Sequence, residues 1–206
     1  CHNRPLLQLT ELERYQAMTK IRQLFSLHSD HSSDTDFIAI FVGGHQNKRW
    51  PLAFWLMLID AMEACKIRYV VFLGPEEFRL LAPIEQRLMS SLYGSLCPPL
   101  PIRHFAAVLG RARLLVTPDS GPMHLAAALD VATISLVRQK KSLAFVPREA
   151  YDTILWRPEI STVIDAISAN LDGQNSTAPV QPASATNQPT QWVTPPPSAD
   201  PLYSSY

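Results

Sequence analysis

The sequence predicts an α/β fold: a Rossmann-like parallel sheet with helices on both faces. Three observations lead there. Short continuous apolar runs alternate with helical stretches between Phe37 and Leu171, and such runs are strands buried on both faces, as parallel sheets require. The runs end at Gly43-Gly44, Gly74-Pro75 and Pro118, the punctuation of a strand entering a loop. The order strand, helix, strand, helix calls for crossover connections and therefore a doubly wound sheet.

Each element follows from its residues. Thr10-Glu11-Leu12-Glu13 has the form of a capping box and opens a helix with Leu12, Tyr15, Thr19, Ile21 and Leu24 on or near one face. Phe37 to Val42 is the first strand. Pro51 to Cys65 is a helix with proline in its first turn, where the missing N–H does no harm. Tyr69 to Leu73 is the second strand. Glu76 through Tyr93 reads as a helix broken or kinked near Pro83, and Arg103 through Arg111 as a shorter one. Leu114 to Thr117 is the third strand, closed by Pro118. Pro122 to Leu129 is helical, Ala132 to Val137 is a strand, and Ser161 to Leu171 closes as a helix.

Composition narrows the class of function. Among 206 residues, Lys and Arg balance Asp and Glu at 18 each, so no overall field draws in nucleic acid, and an anion must be gripped locally. The charged fraction is 17%, below the ~25% of average globular domains, and points to a surface that leans on a partner or another domain. Cys1, Cys65 and Cys97 have neither metal-site nor CxxC spacing, which fits free thiols in a reducing compartment. With no membrane-spanning run and no signal-peptide pattern, a cytoplasmic protein is expected. The start at Cys1 suggests an upstream portion.

Three blocks divide the chain. Residues 1–36 read as an interdomain helix and linker, 37–172 as the ligand-binding domain, and 173–206 as a disordered tail rich in Pro, Ser, Thr and Gln. His28, Asp30, His31 and Asp34 have the side chains of metal ligands but lie in a Ser-rich linker, so a solvated linker is favoured and no metal site is expected. No GxSxG, HExxH or Walker sequence occurs.

Ligands of open α/β sheets sit beyond the carboxyl ends of the strands, which puts three loops on one rim. The first is Asp119-Ser120-Gly121-Pro122-Met123-His124, running from a strand into a helix. Its unpaired N–H groups and the helix dipole could cradle a diphosphate, and an ordinary helix start capped by Asp119 or Ser120 is an equal alternative. The second is Lys48, a compact cation for phosphate or else a solvated loop lysine. Trp50 beside it is assigned to core packing. The third is Glu76-Glu77, either of which could accept from ribose hydroxyls or simply complement a helix dipole. Arg138, Lys140 and Lys141 form a basic cluster, either a solvated face or a contact to an anionic membrane or acceptor.

Lys48-Arg49-Trp50-Pro51, Leu73-Gly74-Pro75-Glu76-Glu77 and the run from Asp119 to Leu129 together resemble the glycosyltransferase family 9 heptosyltransferases of lipopolysaccharide synthesis. The match covers roughly residues 37–137. The resemblance implies the C-terminal, donor-binding half of a GT-B enzyme, which transfers heptose from ADP-heptose to the lipopolysaccharide core with inversion. No cofactor or metal would be needed, and attachment would be peripheral at the inner membrane. Lys48 would contact donor phosphate, Glu76 or Glu77 the ribose, and Asp119 through His124 the diphosphate and sugar, with Gly43 and Gly44 lining the site. The acceptor domain and its catalytic base would lie outside the chain. A non-catalytic module, or an enzyme of another nucleotide sugar, is the alternative. The family usually has His-Pro-Gly where this chain has Phe41-Val42-Gly43, and Gly-Val-Pro where it has Asp130-Val131-Ala132.

Overall fold

A computed structural model describes residues 6–25, 37–44, 48–147, 149 and 151–175. Its core follows from strand periodicity. In β1 (Ile38–Val42), Ile38, Ile40 and Val42 face one side of the sheet while Phe37, Ala39 and Phe41 face the other, because successive side chains alternate. The same alternation splits β2 (Tyr69–Leu73) and β4 (Leu114–Pro118). The first face is covered by α2 (Leu52–Ala64), α3 (Phe78–Leu88) and α6 (Ile160–Asn175) through Trp55, Leu58, Ile59, Met62, Ile84, Val163 and Ile167. The second is covered by α1 (Glu11–Phe25), α4 (Ile102–Leu109) and α5 (Gly121–Ala128).

With β3 (Gly94–Cys97), β5 (Ala132–Val137) and β6 (Thr153–Trp156), the strands form one parallel sheet in the order β3-β2-β1-β4-β5-β6. The chain winds outward in both directions from the centre, so the switch point lies between β1 and β4, where open α/β sheets leave a crevice. No helix among the described residues is long and apolar enough to cross a membrane.

Several expectations change. The capping box forms, with the Thr10 N–H donating to Glu13 Oε2 at 2.8 Å and the Glu13 N–H to Thr10 Oγ1 at 3.3 Å. The buried stripe of α1, however, is Ala17, Ile21 and Phe25, while Leu12 and Tyr15 are exposed. Packing on α4 and β3 selects that face, so this helix is built into the domain. The helix expected over 76–93 is instead a 3-10 turn (Pro75–Glu77) followed by α3, which ends at Leu88 and leads through a turn into β3. Pro83 sits inside α3 without ending it, forfeiting one hydrogen bond. β3 is too short and too rich in Gly and Ser to signal itself. Its Gly94 is demanded by packing, since a Cβ there would lie 2.1 Å from Tyr69 Cζ. α6 continues through residues 173–175, which composition alone places in the tail. The linker histidines and residues 176–206 lie outside the described residues.

Asp130, just after α5, has a φ of 59°, the left-handed conformation that glycine adopts most readily. Aspartate is among the few residues that tolerate this left-handed conformation. Its carboxylate is held by the Tyr151 hydroxyl, which donates to Oδ1 at 2.5 Å.

Candidate nucleotide-binding cleft

The loops after β2, β1 and β4 are neighbours because those strands are neighbours. Between them lies a cleft of about 400 Å³, reached by Gly44 and Lys48 from the first strand, Gly74 to Glu77 from the second, and Asp119 to Pro122 with His124 from the fourth. The three loops expected on one rim therefore share one cavity.

On the β4 side, Ser120 occupies the N-cap position of α5 in extended conformation, φ −152° and ψ 169°, yet makes no side-chain capping bond. Its hydroxyl is shared instead with Thr117 Oγ1 at 2.9 Å. The start of α5 thus meets the cleft with its partial positive charge uncovered by a side-chain cap. Gly121 adds to that opening, since a Cβ built there meets nothing within 4 Å. Pro122 at the first turn removes a donor that would have no helical partner.

Asp119 is 6% exposed, and Lys48 Nζ lies 2.6 Å from its Oδ2. A carboxylate so buried needs a cation, and beyond this ion pair Oδ2 has no hydrogen-bond partner among the described residues. Lys48 is therefore anchored across the cleft, from the β1 loop to the β4 loop.

Met123 departs from the expectation that it faces the ligand. Its side chain is fully buried against Val137 and Val146, and its N–H donates to Ser120 O at 3.1 Å. One turn of helix carries it to the inner face, whereas His124 next to it is exposed at the cleft.

On the β2 side, the two glutamates part company. Glu77 is buried and accepts from the Gly44 N–H at 3.3 Å through Oε1, whereas Glu76 is exposed. The 3-10 turn rotates consecutive residues by about a third of a circle, which separates them. Two glycines make room for the buried carboxylate. A Cβ on Gly74 would lie 2.5 Å from Glu77 Oε2, and one on Gly43 would lie 2.5 Å from the Phe41 ring and 3.0 Å from Glu77 Cδ. Gly43 thus supports the site from behind, while Gly44 lines it.

Arg49 is the residue that sequence reasoning missed. Its Nε–H donates to Gly44 O at 2.6 Å, and its Nη2 lies 3.1 Å from Glu76 Oε2 and 3.4 Å from Glu77 Oε1. One planar fork thereby joins the β1 loop to the β2 loop, a task for which lysine lacks the geometry. Arg138 in turn donates to Arg49 O and lies over the Trp50 ring, 5.4 Å from its centroid. Trp50 packs on Phe54 at 4.2 Å between centroids and donates from Nε1 to Leu136 O at 3.3 Å, consistent with its assignment to packing.

These features fit a family. The model of glycosyltransferase family 9 (heptosyltransferase) matches residues 7–166. No curated protein matches the chain significantly. Among solved structures it is similar to the glycosyl transferase family 9 from Veillonella parvula DSM 2008, at 22% identity, covering 82% of this chain and 54% of that one, TM-score 0.66. It is similar to E. coli ADP-heptose lps heptosyltransferase II at 20% identity, with 83% and 54% covered and a TM-score of 0.65. E. coli heptosyltransferase WaaC with ADP-2-deoxy-2-fluoro heptose follows at 21% identity, with 75% and 47% covered and a TM-score of 0.54. The chain spans about half the length of these structures, and the likeness is one of fold. With more than half of its residues matched by the family model, the chain belongs to glycosyltransferase family 9 (heptosyltransferase).

Proposed function

We propose that this chain is the C-terminal, donor-binding half of a GT-B glycosyltransferase that holds ADP-heptose and transfers heptose, with inversion, to a lipopolysaccharide core acceptor. The observation that carries the reading is the cleft at the sheet's switch point, where an anchored lysine faces a helix start without a side-chain cap. Diphosphate is doubly suited to that pairing, by charge and by the backbone donors of α5. Lys48 has three donors and gives one to Asp119, which leaves two for phosphate oxygens.

The ribose belongs at the opposite side. Carboxylates only accept hydrogen bonds and so suit hydroxyls. Glu77 uses Oε1 on Gly44 and Arg49, while its Oε2 bonds to none of the described residues. Gly121 leaves the space into which the donor sugar extends. In the transfer step an acceptor hydroxyl attacks the anomeric carbon, the bond to the diphosphate oxygen breaks, and a general base takes the hydroxyl proton. The charge that grows on the departing ADP is met by Lys48 and the α5 dipole. Acceptor and base are supplied from outside this cleft, with the protein attached peripherally at the cytoplasmic face of the inner membrane.

A thermal-shift series with ADP, UDP and their sugars tests the reading. Bound ligand stabilises the folded state by about 2.7 kcal/mol at a hundredfold excess over Kd. ADP and ADP-heptose are expected to raise Tm more than UDP does. A shift with UDP-sugars alone would assign another nucleotide sugar, and no shift with any of them would leave a scaffold module.

A further inference from the structure

We infer that the rim at the ends of β5 and β6 is a docking surface for an anionic phospholipid bilayer. The inference deepens the peripheral attachment proposed above and rests on it. A single turn carries most of the surface. After β5, the 3-10 turn Lys140–Ala144 is rooted by the buried Ser142, and Val146 just beyond it packs against Met123 and Val137. Between these roots Phe145 points outward, 64% exposed, while Val146 beside it is buried. Trp156, at the end of β6, is 43% exposed with the Arg157 guanidinium 5.3 Å from its ring centroid. The Arg157 N–H donates to Val137 O at 2.9 Å, which sets the two strand ends side by side.

Charge completes the pattern. Between Val131 and Pro147 the chain contains Arg138, Lys140 and Lys141 and no acidic residue. Lys140 and Lys141 are exposed, and neither makes an ion pair among the described residues. Aromatic rings that seat at the level of lipid headgroups, framed by cations that meet anionic lipid, are the chemistry of interfacial binding. Two other exposed apolar side chains lack it: Phe78 follows Glu76 and Glu77, and Leu12 stands between Glu11 and Glu13. Because β5 and β6 are parallel to β1 and β4, their ends lie on the rim that carries the cleft. Docking there turns the cleft mouth toward the bilayer.

Co-sedimentation of the full chain with vesicles of phosphatidylcholine, with and without ~30% phosphatidylglycerol, tests this at ~0.1 M salt. Binding is expected to the anionic vesicles only. It should weaken about thirtyfold in the K140A/K141A variant, the effect of two interfacial cations, and severalfold in Phe145→Ser. Calorimetry with ADP on the same variants should give unchanged affinity, which separates this surface from the cleft. The proposal is overturned if anionic vesicles bind no better than neutral ones. It is equally overturned if K140A/K141A binds them like the parent, or if these variants lose a soluble phosphorylated saccharide while vesicle binding persists.

Discussion

The cleft has two sides built from the same ingredients in different proportions. At the β4 side one lysine faces one carboxylate, Lys48 against Asp119, with Lys48 partly open to solvent. At the β2 side one arginine faces two carboxylates, Arg49 against Glu76 and Glu77, and the inner one is enclosed by Gly43 and Gly74. The first arrangement leaves donors in excess once the helix start is counted, whereas the second leaves acceptors in excess. On the function proposed above, the diphosphate would lie at the first end and the ribose hydroxyls at the second, which gives the ligand one way to lie.

Removing Glu77 should break this comparison most severely. Glu77→Ala strips a buried acceptor from the Gly44 N–H and from Arg49, and nucleotide affinity is expected to fall by about 2–3 kcal/mol, the range for a hydrogen-bonded charge. Because it acts on the hydroxyl end, adenosine and ADP should suffer alike in competition assays. Lys48→Ala should weaken ADP by about 1–3 kcal/mol and leave adenosine unchanged. A loss shared equally by adenosine would remove the distinction between the two ends.

Smaller effects sharpen the picture. Gly121→Leu fills space that the protein itself leaves empty, so ADP-heptose should bind about tenfold more weakly. The Tm should hold or rise, because replacing glycine in a helix recovers up to about 1 kcal/mol. Met123→Leu should be nearly silent for ligand and cost less than about 1.5 kcal/mol of stability in denaturant melts, as volume-conserving core changes do. A large loss of affinity there would return Met123 to the cleft.

How much of this could be read beforehand depends on how locally each feature is encoded. β1, β2, β4 and β5 announce themselves as apolar runs because both faces of a central strand are buried. The edge strand β3 does not. β3 is Gly-Ser-Leu-Cys, whose strand character comes from pairing with β2, and β6 is only half-buried, although its Thr-Ile-Leu-Trp run is a strand signal in itself. In the cleft, Lys48 and the Asp119 turn are visible from their position after strands, whereas Arg49 resembles any loop arginine until the β2 loop is folded beside it. Glu76 and Glu77 are equivalent as letters and are distinguished by the pitch of one 3-10 turn. Met123 sits within a motif that otherwise lines the cleft, and only helical rotation removes it.

Calorimetric titration of the folded chain with ADP, repeated with Lys48→Ala and with UDP, tests the central claim most directly. The account predicts saturable one-site binding of ADP, weakened about fivefold or more by the substitution, with UDP bound less tightly. A folded chain that gives no heat at millimolar ADP, or that binds ADP equally well without Lys48, would contradict it.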